Sequence, residues 1–274
     1  MNFNVIFPSP ALQKWVKYFW YCKEANTLES TKYMVIADGA PGIIFQIGDQ
    51  SIFKNDGLAM PQGFVYGQAT ESCLNDVKKQ LIVLGIQFRQ GALQALCRED
   101  AFVLTNTIVS LENIFSSSQI DLLVNQFTLK ELIESFEMLL LKKFNQQIDS
   151  DLLITFSTEI IEKRIQNIVA PVLHKELNLS ERQFQRRFRR MVGVSAETYI
   201  RIKKVEKAMQ ILHEGTYEKL SDVGYCLNYS DQSHFIREFK QFSGFTPTKF
   251  EKKTLDRQFS PRRHALQLRR IIPY

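Results

Sequence analysis

The sequence predicts an α+β protein of more than one domain. A small β-barrel with flanking helices stands in front, and an all-α domain of two helix-turn-helix units joined by a long helix stands behind. Three observations carry this. Leu177–Gly193, LNLSERQFQRRFRRMVG, is written again at Leu227–Gly244, LNYSDQSHFIREFKQFSG. Residues 1–115 alternate short β-branched and aromatic runs with turn formers. Charge is also divided: residues 1–159 hold 12 Lys+Arg against 17 Asp+Glu, a net −5, and residues 160–274 hold 23 against 12, a net +11. A basic rear half points to a polyanionic partner for that half alone.

In chain order, Pro10–Tyr21 spaces Leu12, Trp15, Val16, Phe19 and Trp20 by threes and fours. That reads as a short amphipathic helix or an aromatic lead-in to the barrel. Tyr33–Ala37, Ile43–Ile47, Ser51–Lys54, Gly63–Tyr66 and Gln80–Phe88 read as strands. Asp38-Gly39, Pro41-Gly42, Gly48-Asp49, Asn55-Asp56-Gly57 and Pro61 supply the turns. Strands so closely spaced close into a sandwich or small barrel. Gln90–Leu96 reads as a short helix.

This front domain contains no histidine; His174, His213, His234 and His264 all lie behind residue 170. The usual imidazole ligands and general base are missing, so no catalytic residue, metal or cofactor is expected. Turn contexts account for Asp38, Asp49 and Asp56. A barrel mouth suits a small-molecule effector, and Trp15, Trp20, Phe45, Phe64 and Tyr66 either line such a pocket or are core.

Residues 116–150 read as a helical linker and dimerisation region. Ser116–Ser118 is a polar break and Ile120–Phe127 a short apolar segment. Thr128 opens a T-L-K-E capping box with Glu131. Behind it Leu129, Leu132, Ile133, Phe136, Leu139, Leu140 and Phe144 fall at helical spacing. This apolar face packs on the barrel or meets a second copy, and a homodimer is expected to use part of it. Gln146–Asp151 is the polar boundary.

Residues 155–254 read as helical. Ile160–Val169 is amphipathic, and Pro171 opens a new first turn. Asn178 suits a left-handed turn. Ser180 and Gln183 form a capping box, Phe184, Phe188 and Met191 face inward, and Gly193 ends the helix. Ser195 starts a long helix to Gly215. Leu220–Leu227 opens the second unit, Ser230 or Asp231 caps its second helix, Gly244 ends it, and Thr246-Pro247 starts a last helix. Aligned on Phe184 and Phe235, an offset of 51, Arg186 falls on Arg237, Phe188 on Phe239, Arg189 on Lys240 and Gly193 on Gly244. The Leu-Asn pair repeats at an offset of 50, so the second copy carries one extra residue before its helix. A solubilising surface has no reason to repeat such a pattern, whereas one supersecondary unit used twice does. Residues 255–274 read as a loosely held basic tail with five arginines.

The major groove admits one α-helix, and Arg, Gln and Asn can bond guanine and adenine edges bidentately. Arg182, Gln185 and Arg186 of the first copy and Gln232, Ser233 and Arg237 of the second are candidate base readers. Arg189, Arg190 and Lys240 suit phosphates. His234 is either a DNA contact or a structural residue of the turn. Two such helices on one spacer would enter successive major-groove segments about 34 Å apart.

Gly224–Pro247, containing YSDQSHFIREFKQFSGFTP, resembles the signature of the AraC/XylS family of bacterial transcription regulators, and LSERQFQRRFRRMVGVS resembles that family's first unit. The resemblance covers about Ile160–Glu251. It implies promoter binding by two helix-turn-helix units, with base reading by Arg182, Gln185, Arg186, Gln232, Ser233 and Arg237. Gly224 departs from the family's usual alanine, Asn228 from its glycine, and Ile236 from an often polar residue; Ile236 would meet a thymine methyl. Ala37-Asp38-Gly39, Ile43–Ile47 and Gly85-Ile86-Gln87-Phe88 running into Arg89-Gln90-Gly91-Ala92 are more weakly similar to the sensor-like domains of some of these regulators. That similarity implies a cupin-like barrel.

The expected partner is double-stranded promoter DNA in a bacterial cytoplasm, with RNA polymerase a further candidate. The N-terminus lacks a signal-peptide pattern, and the longest apolar run, Leu81–Ile86, is too short for a membrane span. Cys22, Cys73, Cys97 and Cys226 form no C-x-x-C pair, against zinc and disulfides. Two rivals remain: a DNA-repair protein taking an alkyl group on Cys22, Cys73 or Cys97, and an interaction adaptor with an incidental basic face.

Overall fold

Turn residues cut the front of the chain into short strands that pair in two antiparallel sheets. The computed structural model describes residues 2–23, 31–48, 53–55, 58–77, 82–145, 151–256 and 271–273. Its strands are β1 (Asn2–Ile6), β2 (Val16–Lys23), β3 (Thr31–Val35), β4 (Gly42–Gln46), β5 (Phe53–Asn55), β6 (Leu58–Ala59), β7 (Gly63–Tyr66), β8 (Cys73–Val77), β9 (Ile82–Phe88), β10 (Ile108–Ser110) and β11 (Ile271–Pro273). One sheet runs β1-β2-β9-β4-β7-β10 and the other β11-β3-β8-β5-β6. Between them pack Tyr18, Trp20, Cys22, Tyr33, Ile44, Phe64, Tyr66 and Val83.

The opposite face of the six-stranded sheet is buried as well. There Val16, Phe19, Ile43, Phe45, Leu84 and Phe88 meet α1 (Ala92–Cys97) and α3 (Leu129–Phe144). Of the two readings of Pro10–Tyr21, the lead-in to the barrel holds and the amphipathic helix does not. Only Pro10–Leu12 makes a 3-10 turn, and the rest feeds β2. A strand covered on two sides needs apolar residues on both, which erases the period-two signal and can mimic a period of three to four.

Thr128 and Glu131 form the expected capping box, Thr128 N donating to Glu131 Oε2 at 2.9 Å. Ser116 is not a break but the N-cap of α2 (Ser117–Val124), boxed with Gln119. The apolar face expected to serve a homodimer is covered by the chain itself: Leu132, Phe136, Leu139, Leu140 and Phe144 pack on the barrel, Phe144 stacking on Trp15 with ring centroids 4.9 Å apart.

Behind the barrel follow α4 (Leu152–Lys163), α5 (Ala170–Glu176), α6 (Glu181–Val192), α7 (Ala196–Glu214), α8 (Leu220–Cys226), α9 (Gln232–Ser243) and α10 (Pro247–Asp256). Asp151, assigned to the linker, instead caps α4 by accepting from Ile154 N at 3.4 Å. The rest of that linker, Asp49, Asp56 and the five tail arginines lie outside the described residues. The end of the tail is not loose: β11 pairs with β3, Ile272 opposite Met34.

Trp20 lies opposite Gly85 across β2 and β9, and a Cβ at Gly85 would stand 1.9 Å from the indole. Gly85→Ala is therefore expected to destabilise the barrel by about 1–3 kcal/mol, as overpacking does. Urea denaturation followed by tryptophan fluorescence measures it, and an unchanged midpoint would show that the indole can move aside.

Candidate nucleic-acid interface

The two units share one construction. Helices α5 and α8 start 50 residues apart, and α6 and α9 start 51 apart. Between the helices Asn178 (φ 52°) and Asn228 (φ 59°) take the left-handed conformation. Asn is among the few non-glycine residues that do so cheaply. The extra residue of the second unit falls just after that turn. Ser180 caps α6, accepting from Gln183 N at 3.3 Å, and Asp231 caps α9, accepting from His234 N at 2.8 Å. That bond holds the Asp231 carboxyl below the ordinary carboxylate range. Gly193 (φ 99°) and Gly244 (φ 79°) end the two helices.

Apolar faces fix their orientation. Phe184, Phe188 and Met191 of α6 pack with Leu173 and Leu177, and Phe235, Phe239 and Phe242 of α9 pack with Val223 and Leu227. The opposite faces are left to solvent. Arg182, Arg186, Gln232, Ser233 and Arg237 are exposed and Gln185 is half-buried. None of their side chains has a hydrogen-bond or ion-pair partner among the described residues. Lys240 is likewise exposed.

Other candidates are engaged inside the chain. Arg190 Nε donates to Asp100 Oδ1 at 2.6 Å, and the Arg189 guanidinium lies 5.1 Å from the Phe102 ring centroid. Both partners belong to the front domain. His234 Nε2 lies 3.0 Å from Glu238 Oε1 and its ring meets Tyr229 edge-on, which gives it a structural role. Ile236 is half-buried and packs on the second unit's core. A Cβ at Gly224 would sit 3.3 Å from the Phe235 ring, so the glycine also lets α8 and α9 approach closely.

The sequence reading missed the supports. Glu238, buried on α9, takes hydrogen bonds from Arg201 of α7 and from Tyr229 Oη at 2.9 Å. Its position among Phe235, Phe239 and Phe242 was the available signal, since a carboxylate on an inward face needs partners. Arg187 makes two 2.6 Å bonds to Asp151. Asp100, Phe102 and Thr105, which meet α6 from the front domain, carry no local signal at all.

Of the aromatic residues assigned to a pocket or core, Phe64 and Tyr66 line a cavity of about 310 Å³ in the front domain. Trp15 and Phe45 belong to the outer core and Trp20 to the inner one. Of the three cysteines named for alkyl transfer, Cys22 is fully buried, burial beside Glu99 pushes the Cys97 thiol up to about 11, away from the nucleophilic thiolate, and Cys73 is exposed at the front-domain cavity.

Removing Arg201 would leave Glu238 buried with weaker partners. Arg201→Ala is expected to cost about 2–4 kcal/mol and to loosen α9 before the rest. Hydrogen exchange read by mass spectrometry would show this as faster exchange over residues 232–243; uniform protection would count against it.

Comparison with known proteins agrees with this geometry. Residues 173–253 match the model of a helix-turn-helix domain family, and residues 4–110 match a domain of unknown function. The chain is 30% identical over 105 residues to the F1 operon positive regulatory protein of Yersinia pestis, covering 38% of this chain and 34% of that protein. It is 26% identical over 124 residues to the probable transcriptional regulator LumQ of Photobacterium leiognathi, covering 45% of this chain and 48% of that one. The chain thus spans between about a third and a half of the length of these curated relatives. A solved structure of ToxT from Vibrio cholerae is similar at 12% identity and a TM-score of 0.49, over 85% of this chain and 98% of that one. Over residues 173–253 the chain thus matches a helix-turn-helix domain family, the segment that holds both repeated units.

Proposed function

We propose that this protein is a sequence-specific DNA-binding transcription regulator, with α6 and α9 as its two reading helices. The observation that carries the reading is the matched pair of exposed, unpartnered faces. Arg182, Gln185 and Arg186 stand on one helix and Gln232, Ser233 and Arg237 on the other, each helix held by a side-chain N-cap (Ser180 or Asp231), inward phenylalanines and a terminal glycine. Such faces suit base edges, and Lys240 suits a phosphate. The +11 charge of residues 160–274 supplies the non-specific attraction. Nothing comparable favours an adaptor, whose basic face would not need two equal frames.

The front domain is the natural place for a small-molecule effector, because its cavity lies beside the segments that touch both units. Of partner proteins, neither RNA polymerase nor a second copy has a surface argument as specific as that for DNA. Among the described residues no helix is long and apolar enough to cross a membrane.

Arg186→Ala and Arg237→Ala are each expected to weaken specific binding by about 1–3 kcal/mol, and to weaken binding to scrambled DNA less. Gel shifts at fixed salt separate these outcomes, and equal losses on both DNAs would reduce the two arginines to phosphate contacts. Asp100 competes with phosphate for Arg190. Asp100→Ala should therefore raise affinity on both DNAs by up to about fivefold, the worth of an exposed ion pair. Unchanged affinity across a salt titration would mean that Arg190 never reaches the backbone.

A further inference from the structure

The two helix-turn-helix units have separate cores. Ala196, Tyr199 and Ile200 of α7 belong to the core of the first, and Ile202, Val205, Ala208 and Met209 to that of the second. Among the described residues α7 is the one helix with side chains in both. Beyond the changeover, a groove of about 700 Å³ lies between residues 162–169 and the far half of α7, at Lys207 and Gln210. Helices bend gently without breaking their hydrogen bonds. A bend of about 10° at Arg201 would carry the end of α7 sideways by about 3 Å. One base pair is a step of about 3.4 Å. A spacer without support would therefore let α6 and α9 follow a site lengthened or shortened by one base pair.

The front domain supports it at three places. At the end of α6, Thr105 Oγ1 donates to Gly193 O at 2.8 Å, Asp100 Oδ1 accepts from Arg190 Nε at 2.6 Å, and the Phe102 ring lies 5.1 Å from the Arg189 guanidinium. At the end of α9, Ser72 N donates to Gln241 O at 3.0 Å, Ala37 N to Phe242 O at 2.9 Å, and Gln241 Nε2 to Thr70 O at 3.2 Å. Between them, where one core gives way to the other, Gly39 packs on Tyr199, Ile202 and Lys203, and Lys203 Nζ donates to Asp38 O at 3.2 Å. The three contact segments are also tied to one another. Gln68 Nε2 donates to Gly39 O at 2.9 Å, and Gln68 O accepts from Asn106 N at 2.8 Å. The Asn106 side chain bonds Thr70 twice, accepting from its N at 2.8 Å and donating to its Oγ1 at 2.7 Å. Residues 38–39, 68–72 and 100–106 thus form one connected brace.

We propose that this brace fixes the step between α6 and α9, so that the protein reads its two major-groove segments at one separation only. Asp100, Phe102 and Thr105 are positioning residues for α6, Thr70 and Ser72 for α9, and Asn106 couples the two sets. The spacing selectivity rests on the DNA reading given above.

Two measurements on the full chain test it. Nitroxides carried by non-natural residues at Glu181 and Lys240, both exposed, report the distance between α6 and α9 without DNA, by double electron–electron resonance. The combined variant Asp100→Ala, Phe102→Ala and Thr105→Ala removes three side chains outside the core. Asn106→Gly keeps the left-handed backbone (φ 59°) and cuts the tie to Thr70. Each should broaden the distance distribution by about 3.4 Å, the step of one base pair. Gel shifts then compare a site selected from random DNA with the same site carrying one base pair more or fewer at its centre. The unaltered chain should lose at least about tenfold on either change, the worth of one well-paired base contact, and both variants about threefold or less. General weakening of the protein would lower binding to all three sites alike and leave that ratio in place. Distributions as narrow in both variants as in the unaltered chain would overturn the proposal, as would a spacing penalty undiminished where the distribution has broadened. The distances need no DNA, so failure to select any site would strike the DNA reading and leave the brace to be decided by them.

Discussion

Lys203 is a charged group almost wholly removed from water, and the arrangement of the domains depends on satisfying it. Its Nζ lies 2.7 Å from Glu206 and 3.5 Å from Glu162, and donates to Asp38 O at 3.2 Å. Those partners come from α7, α4 and the front domain. Burial by itself would lower its pKa, but Glu206, Tyr199 and Glu162 outweigh burial and raise it well above the ordinary lysine value. A raised folded pKa means stability that is complete below the unfolded value and lost only as pH rises through the folded one. Glu162 gives the acid limit. Burial would raise its pKa, yet Lys203 and Lys17 lower it, so its share is lost only when pH falls through that depressed value. Across neutral pH Lys203 and Glu162 are therefore both charged. If any one of the three groups swings away, a cation is left buried without its full set of partners, so parting the barrel or α4 from the spacer helix is costly.

Around this point the contact spreads over both DNA-binding units. Gln90 donates to Tyr199 Oη at 3.3 Å, and Tyr199 donates to Glu162 at 3.1 Å. Ala37 N donates to Phe242 O at 2.9 Å, and Met34, Ile36 and Ala37 join the hydrophobic core of the second unit. The front domain thus completes a core that a helix-turn-helix unit would otherwise close alone. The barrel strands and α9 are joined by packed side chains and a backbone hydrogen bond.

Much of this was legible in the sequence, and unevenly so. The double unit could be read almost residue by residue, because caps, inward phenylalanines and terminal glycines are local signals. The one-residue slip from an offset of 50 to 51 even fixed where the extra residue sits. Strands β4, β7 and β9 were legible from β-branched runs between turns. β2 was not, since burial on both faces removes alternation, and neither was β8, whose Asn75 and Asp76 read as loop residues. The α3 face was plain in Leu132, Phe136 and Leu139, but an apolar face does not name what covers it. Of the base-reading candidates, Arg182, Arg186, Gln232, Ser233 and Arg237 are exposed, Gln185 is half-buried and Ile236 packs on the second unit's core. The engagement of Arg189 and Arg190 did not show, because Phe102 and Asp100 lie nearly ninety residues away and nothing in their neighbourhood marks them as partners of a helix.

The repeat makes the contact between domains easier to understand. Gly193 and Gly244 hold equivalent places, each a left-handed helix end, and at that level one role explains both. The front domain gives each a second role. A Cβ at Gly193 would stand 3.1 Å from Ala101 O and 3.2 Å from Thr105 Oγ1, whose hydroxyl donates to Gly193 O at 2.8 Å. At Gly244 it would stand 2.5 Å from Met34 Sδ. The barrel therefore meets both units at the same structural point, just past the reading helix. Asparagine tolerates the left-handed conformation and serves at Asn178 and Asn228, which are both exposed. It would not serve at Gly193 or Gly244, because there the conformation and the space are constrained together. The same glycine that ends each of α6 and α9 is what lets the front domain sit against it.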